Sequence, residues 1–67
     1  MATKRPPLSN RDAKLVELMN YGTTADKVGS MFGVTLDRAK DLMIRAADAS
    51  GQILCFFDED GAPVFFV

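Results

Sequence analysis

Histidine is absent from the 67 residues, and Cys55 is the single cysteine. Without histidine there is no imidazole general base and no Ser–His–Asp triad. One cysteine supplies neither a disulfide framework nor a zinc finger. No apolar run reaches the roughly 18 residues of a membrane span, and the sequence carries no phosphate-binding loop. We therefore expect a protein that is not an enzyme and needs no metal or cofactor.

An excess of charge of either sign is also missing, since eight Lys and Arg face nine Asp and Glu. The net formal charge of −1 excludes a polycation that binds nucleic acid by bulk charge. The distribution is nevertheless uneven. Residues 1–22 carry four basic and two acidic side chains, residues 23–51 four of each, and residues 52–67 three acidic ones. The N-terminal segment is therefore basic and the C-terminal segment acidic, and a partner would contact these two segments differently.

A chain of this length has room for one small domain, which buries only about 60% of its unfolded surface. Pro6 and Pro7 disfavour a helix near the start, so we expect a flexible basic tail over 1–7 and a single domain over 8–67. The basic start is not followed by an apolar segment, so we expect no secretory signal and a cytoplasmic location.

Apolar spacing predicts three helices, at about 10–20, from Thr23 or Thr24 to Gly33, and from Thr35 to about 49. Hydroxyl side chains cap their starts, Ser9 among them, and glycine ends them. The expected core positions of the second and third helices are Ala25, Val28, Met31, Phe32, Leu36, Ala39, Leu42, Met43, Ala46 and Ala47.

The period then changes, and two apolar runs predict strands at 53–57 and 64–67. The turn between them, 58–61, places Gly61 where a positive φ is needed. A turn centred on Glu59–Asp60 pairs the strands in a set register. The expected partners are Ile53 with Phe66, Leu54 with Phe65, Cys55 with Val64 and Phe56 with Pro63. We expect Cys55 to be a small buried hydrophobe.

Both faces of this hairpin are apolar, although three helices cover only one of them. We expect the other face to be open and to form an interface, either between two copies or with a host protein. Alternatively, the N-terminal tail folds back over it. The residues assigned to this interface are Leu54, Phe56, Phe65 and Val67.

The order of helix, short helix, tight turn, longer helix and hairpin resembles the winged helix-turn-helix superfamily of DNA-binding domains. The match runs position by position through Thr24, Val28, Gly29, Phe32, Gly33, Val34, Thr35, Ala39 and Leu42. Gly29 stands where two helices cross closely, and Gly33 where the turn needs a positive φ. The stretch 37–43 with 51–53 is similar to the DNA-reading domain of bacterial chromosome translocases. The fold class implied is α+β, mostly α: a three-helix core followed by a C-terminal β-hairpin wing.

This resemblance implies a small regulator that binds double-stranded DNA with its third helix in the major groove, typically as a dimer. The side chains that would contact DNA are Lys4, Arg5, Arg11, Lys14, Arg38, Lys40 and Arg45. Two aspartates occupy base-reading positions, Asp37 and Asp41. Each also has a structural interpretation: Asp37 as a helix-dipole partner, and Asp41 as an ion-pair partner of Arg45.

Acidic residues 58–60 lie at the wing tip, where DNA phosphates would repel them. The alternative hypothesis is therefore a protein-interaction module on the same fold. It would bind and inhibit or redirect a host protein through its apolar wing or acidic surface. Small acidic proteins of this type are typical products of phages and mobile elements.

Overall fold

Three helices and a two-stranded antiparallel hairpin follow one another in the computed structural model, which describes residues 8–66. The elements are α1 (Asn10–Tyr21), α2 (Ala25–Phe32), α3 (Leu36–Ala49), β1 (Leu54–Phe57) and β2 (Pro63–Phe65). The predicted class, mostly helical with a C-terminal hairpin, is confirmed. The tail predicted over 1–7 and the last residue, Val67, lie outside the described residues.

Each helix begins and ends at the kind of residue that the sequence predicts. The hydroxyls of Ser9, Thr24 and Thr35 each accept a hydrogen bond from the N–H three residues further along, at 3.1–3.3 Å. These bonds satisfy N–H groups that have no partner within the helix. Gly22 and Gly33 end α1 and α2 in the left-handed region, at φ 89° and 66°. The three helix predictions are therefore confirmed to within a residue.

The core lies where α1 and α2 pack against α3. Leu15, Val28 and Met43 are the largest fully buried side chains, one from each helix. Two residues expected in the core are exposed instead: Met31 by 57% and Leu36 by 43%. Met31 lies beside Asp26, Lys27 and Ser30, which are exposed as well. Leu36 begins α3 beside a shallow pocket, which it lines together with Gly29, a residue that has no side chain to fill the space.

The turn between the strands adopts a three-residue hairpin geometry. The N–H of Asp58 donates to the carbonyl of Ala62 at 2.9 Å, and the N–H of Gly61 donates to the carbonyl of Asp58 at 2.9 Å. Gly61 has φ 82°, as expected for the left-handed residue that closes such a loop. The turn is therefore centred on Glu59–Asp60 as predicted, but it contains one residue more than a two-residue loop.

That extra residue changes the strand register. Leu54 pairs with Phe65 as predicted, whereas Phe56 pairs with Val64 and Phe57 with Pro63. The predicted pairs of Phe56 with Pro63 and of Cys55 with Val64 are wrong. Gly61 shifts the register by one position at the tip, and an irregularity at Cys55 shifts it back.

As the extra residue of the bulge, Cys55 has no partner on β2 and is exposed. The prediction that Cys55 is a buried hydrophobe is therefore wrong.

The hairpin is fixed to the helices at both ends. Leu54 and Phe65 near its base, and Phe57 near its tip, pack against the helical core. At its tip, the carbonyl of Gly61 accepts a hydrogen bond of 2.8 Å from the N–H of Ala25, the first residue of α2. The wing thus lies against the same body that presents α3.

Candidate functional site

The crossing of α2 and α3 depends on a glycine. Gly29 is buried, and a Cβ placed on it would lie 3.1 Å from the carbonyl oxygen of Val34 and 3.8 Å from the Cβ of Ala39. The carbonyl of Gly29 itself accepts a hydrogen bond of 3.0 Å from the N–H of Val34. The close approach predicted for Gly29 is confirmed, and it sets the position of α3 relative to α2.

The outward face of α3 carries three aspartates and one isoleucine. Asp37, Asp41, Ile44 and Asp48 follow one another at intervals of four, three and four residues, which places them on one side of a helix. Asp37, Ile44 and Asp48 are exposed, and Asp41 is half-buried. This face, which the resemblance would direct into the major groove, is therefore acidic and partly apolar along its centre.

Asp41 pairs with both arginines of α3. Its Oδ2 atom lies 3.3 Å from Nη1 of Arg38 and 3.0 Å from Nε of Arg45. The ion pair predicted between Asp41 and Arg45 is confirmed, and Arg38 is a second partner that the sequence reasoning missed. The i, i+3 spacing of Arg38 and Asp41 is the sequence feature that predicts this second ion pair. Arg38 and Arg45, which are both predicted to contact DNA, thus pair with the same carboxylate.

Lys40 is directed toward the wing. Its Nζ atom lies 5.6 Å from the centroid of the Phe57 ring on β1, within the range of a cation–π contact. The residue is half-buried. Its charge therefore lies at the junction of α3 and the hairpin.

The other predicted DNA-contacting residues lie apart from α3. Arg11 and Lys14 are exposed on α1, whereas Lys4 and Arg5 lie outside the described residues. Within 8–66 there are six basic and nine acidic side chains, a formal charge of −3. Any attraction to DNA must therefore come from local basic groups rather than from the domain as a whole.

The acidic wing tip has a structural role of its own. The Oδ1 atom of Asp58 accepts hydrogen bonds from the N–H groups of Asp60 and Ala62, at 2.9 and 3.0 Å. Because Gly61 bonds to the N–H of Ala25, the tip also lies beside the positively polarised start of α2. These contacts give Asp58 a structural role in the turn.

The open face of the wing differs from the predicted one in its residues. Leu54 and Phe65, both assigned to an interface, are half-buried and pack against the helices, so this part of the face assignment is wrong. Phe56 is exposed as predicted, and Val67 lies outside the described residues. Ile53 and Phe66 take the open positions instead. Because side chains alternate between the two faces of a strand, Ile53 and Phe66 point outward when their neighbours Leu54 and Phe65 point toward the helices.

We call Ile53, Phe56 and Phe66 the outer wing face. These residues are 63%, 58% and 69% exposed, respectively. The N–H of Phe66 donates to the carbonyl of Ile53 at 2.8 Å, which makes the two side chains neighbours on one side of the hairpin. Beside Ile53 a groove of about 240 Å³ runs between the hairpin and α3. Its lining is Ile44, Arg45, Asp48, Gln52, Ile53 and Leu54.

Within the described part of the chain, no helix is both long and apolar enough to cross a bilayer. Over 8–66 there is also no group of three or more Cys, Asp or Glu side chains arranged to hold a metal ion. Comparisons of the chain with protein-family models, with curated proteins and with solved structures give no match. The resemblance to winged helix-turn-helix domains therefore stays a prediction from the sequence.

Proposed function

We propose that the protein is a small cytoplasmic regulator that binds double-stranded DNA through the unit formed by α2, the turn and α3. The observation that supports this most is the close crossing at Gly29, where a Cβ would come within 3.1 Å of the Val34 carbonyl. Such a crossing presents the start of the second helix of the unit to a groove. The exposed residues at that end are Leu36, Asp37 and Arg38.

In this proposal Arg38 contacts guanine or phosphate, and Arg45 contacts phosphate about two turns further along α3. Asp41 holds both guanidinium groups in the absence of DNA. Binding then exchanges an ion pair at the protein surface for a phosphate contact, and such surface pairs are weak, about 0–1 kcal/mol. We expect modest affinity that falls steeply with salt, with further contacts from Arg11, Lys14 and the basic residues of 1–7.

The test is a fluorescence-anisotropy titration of labelled duplexes at about 50 and 200 mM salt, with circular dichroism to establish that each sample is folded. Arg38→Gln should weaken binding several-fold. Lys27→Gln removes the same charge from an exposed site on α2 and should have a smaller effect. A folded wild-type protein that binds no duplex at low salt would refute DNA binding.

A second candidate function is the binding of a basic surface on another protein, and one observation favours it. Asp37, Asp41 and Asp48 share the outward face of α3, where DNA phosphates would repel them. Capture of a purified partner that survives nuclease treatment and is lost on Asp37→Asn with Asp48→Asn would support this function. Capture that is unaffected by these substitutions would exclude the acidic face of α3 as the binding surface.

A further inference from the structure

The outer wing face and Ile44 form an apolar region that the function proposed above does not explain. The exposed fractions of Ile53, Phe56 and Phe66 are 63%, 58% and 69%, and that of Ile44 on α3 is 45%. With about 200 Å² for a large apolar side chain, roughly 450 Å² of apolar surface is left open on one copy. The largest apolar patch on a typical monomer is about 300–600 Å² and is often functional, so this region is a candidate binding surface.

These residues form one continuous surface. Ile53 belongs both to the outer wing face and to the groove beside α3. The backbone bond from Phe66 to Ile53 places Phe66, whose side chain is exposed, beside a residue that lines the groove. A projecting ring and a groove therefore lie side by side on the same molecule. A groove of about 240 Å³ exceeds the ~150 Å³ that accommodates benzene inside a protein.

We propose that this surface binds a second copy of the same chain in a two-fold symmetric dimer. A two-fold axis brings each surface against itself, so that the Phe66 ring of each copy enters the groove of the other. The four apolar side chains of each copy then bury about 900 Å² in total, and the rim raises this above the ~1,000 Å² of a specific interface.

The charges at the edge of the groove fit the same arrangement. Arg45 and Asp48 both line it, and they carry opposite charges three residues apart on α3. In a two-fold pairing, Arg45 of one copy faces Asp48 of the other, and the reverse pair forms at the symmetric position. The surface is thus complementary to itself in shape and in charge. This inference does not rest on the proposed function, but the two surfaces share Arg45 and Asp48. Contact of DNA or another protein with these residues therefore competes with dimer formation.

The test is sedimentation velocity on the full chain from about 1 µM to 1 mM, a range that covers dissociation constants typical of small interfaces. We expect the mass to rise from 7.3 kDa toward twice that value. Phe66→Ser and Ile53→Ser should each raise the dissociation constant tenfold or more. Tyr21→Ser is the matched control, because Tyr21 is 84% exposed but lies on α1; it should leave the constant unchanged.

Charge exchange supplies a second measurement that does not depend on removing apolar surface. Arg45→Asp and Asp48→Arg should each weaken the dimer, since like charges then meet across the two-fold axis. The double variant should restore at least part of the lost affinity.

A monomer at every concentration overturns the proposal, whether residues 1–7 or a different protein covers the face. Self-association that is equally strong in Phe66→Ser and Ile53→Ser also overturns it, because another surface would then be responsible.

Discussion

Replacing Asp41 by asparagine removes the carboxylate that holds Arg38 and Arg45 and leaves the side chain almost unchanged in size. The two ion pairs are partly exposed, with side-chain accessibilities of 54%, 43% and 70% for Arg38, Asp41 and Arg45. Exposed helix pairs contribute about 0.3–0.5 kcal/mol each. The substitution also relieves the repulsion between Asp37 and Asp41 at i, i+4. We therefore expect the free energy of unfolding to change by less than about 1 kcal/mol.

The effect on DNA binding should be larger than the effect on stability. A carboxylate about 7 Å from a phosphate is repelled by roughly 0.6 kcal/mol in water and by roughly 2.4 kcal/mol at an effective dielectric constant of 20. Removing Asp41 should therefore raise affinity by about 3- to 60-fold. Because Arg38 and Arg45 contact DNA in the wild-type complex as well, the slope of log K against log salt should change by less than about 0.9, the value of one phosphate contact.

The assay is the anisotropy titration at four or more salt concentrations, with unfolding in urea measured on the same preparations. Glu17→Gln is the matched control, since it removes one negative charge from an exposed site on α1. An affinity and salt slope equal to those of this control would show that α3 does not approach the duplex. Weaker binding by Asp41→Asn would instead mean that the carboxylate itself accepts a hydrogen bond from a base.

Three further predictions concern stability and are measured by chemical or thermal unfolding. Gly29→Val should lower the free energy of unfolding by about 1–3 kcal/mol, because the new atoms meet the backbone carbonyl of Val34 rather than a movable side chain; Ser30→Val, on the exposed neighbour, should change it by less than about 0.5 kcal/mol. Leu15→Ala empties a fully buried position and should cost about 2–5 kcal/mol, a value below 1 kcal/mol being incompatible with the described core. Gly61→Ala has room for its Cβ, whose closest contact is 3.6 Å, but must hold φ 82°; the strain of about 1–2 kcal/mol should lower Tm by several degrees.

The helices of this protein were predictable from sequence because their signals are local. A hydroxyl before each helix and a glycine after the first two act through hydrogen bonds that span three or four residues. The close contact at Gly29 was also predictable, because the resemblance of 24–42 to the helix-turn-helix pattern implies a close crossing there. The ion pair of Asp41 with Arg45 follows from helix geometry alone.

The wing was only partly predictable, because the register of its two strands depends on two single residues, Gly61 and Cys55. Gly61 adds one residue to the loop, which shifts the pairs nearest the turn by one position. The bulge at Cys55 compensates for this shift, so Leu54 and Phe65 at the base of the hairpin still pair as predicted. Both faces of the hairpin are apolar, and alternation alone does not decide which of them packs against the helices. That choice is made by tertiary packing, which places Leu54 and Phe65 inward and Ile53 and Phe66 outward.

The hydrogen bond from Ala25 to Gly61 joins two segments that are 36 residues apart in the chain. The N–H of Ala25 is at the start of α2, where no carbonyl within the helix can accept from it. Its protection against hydrogen exchange therefore depends on a docked hairpin rather than on an intact helix. The exchange rate of this single amide reports how often the wing separates from the helices. A ligand that binds the hairpin and the helices at the same time should slow the exchange.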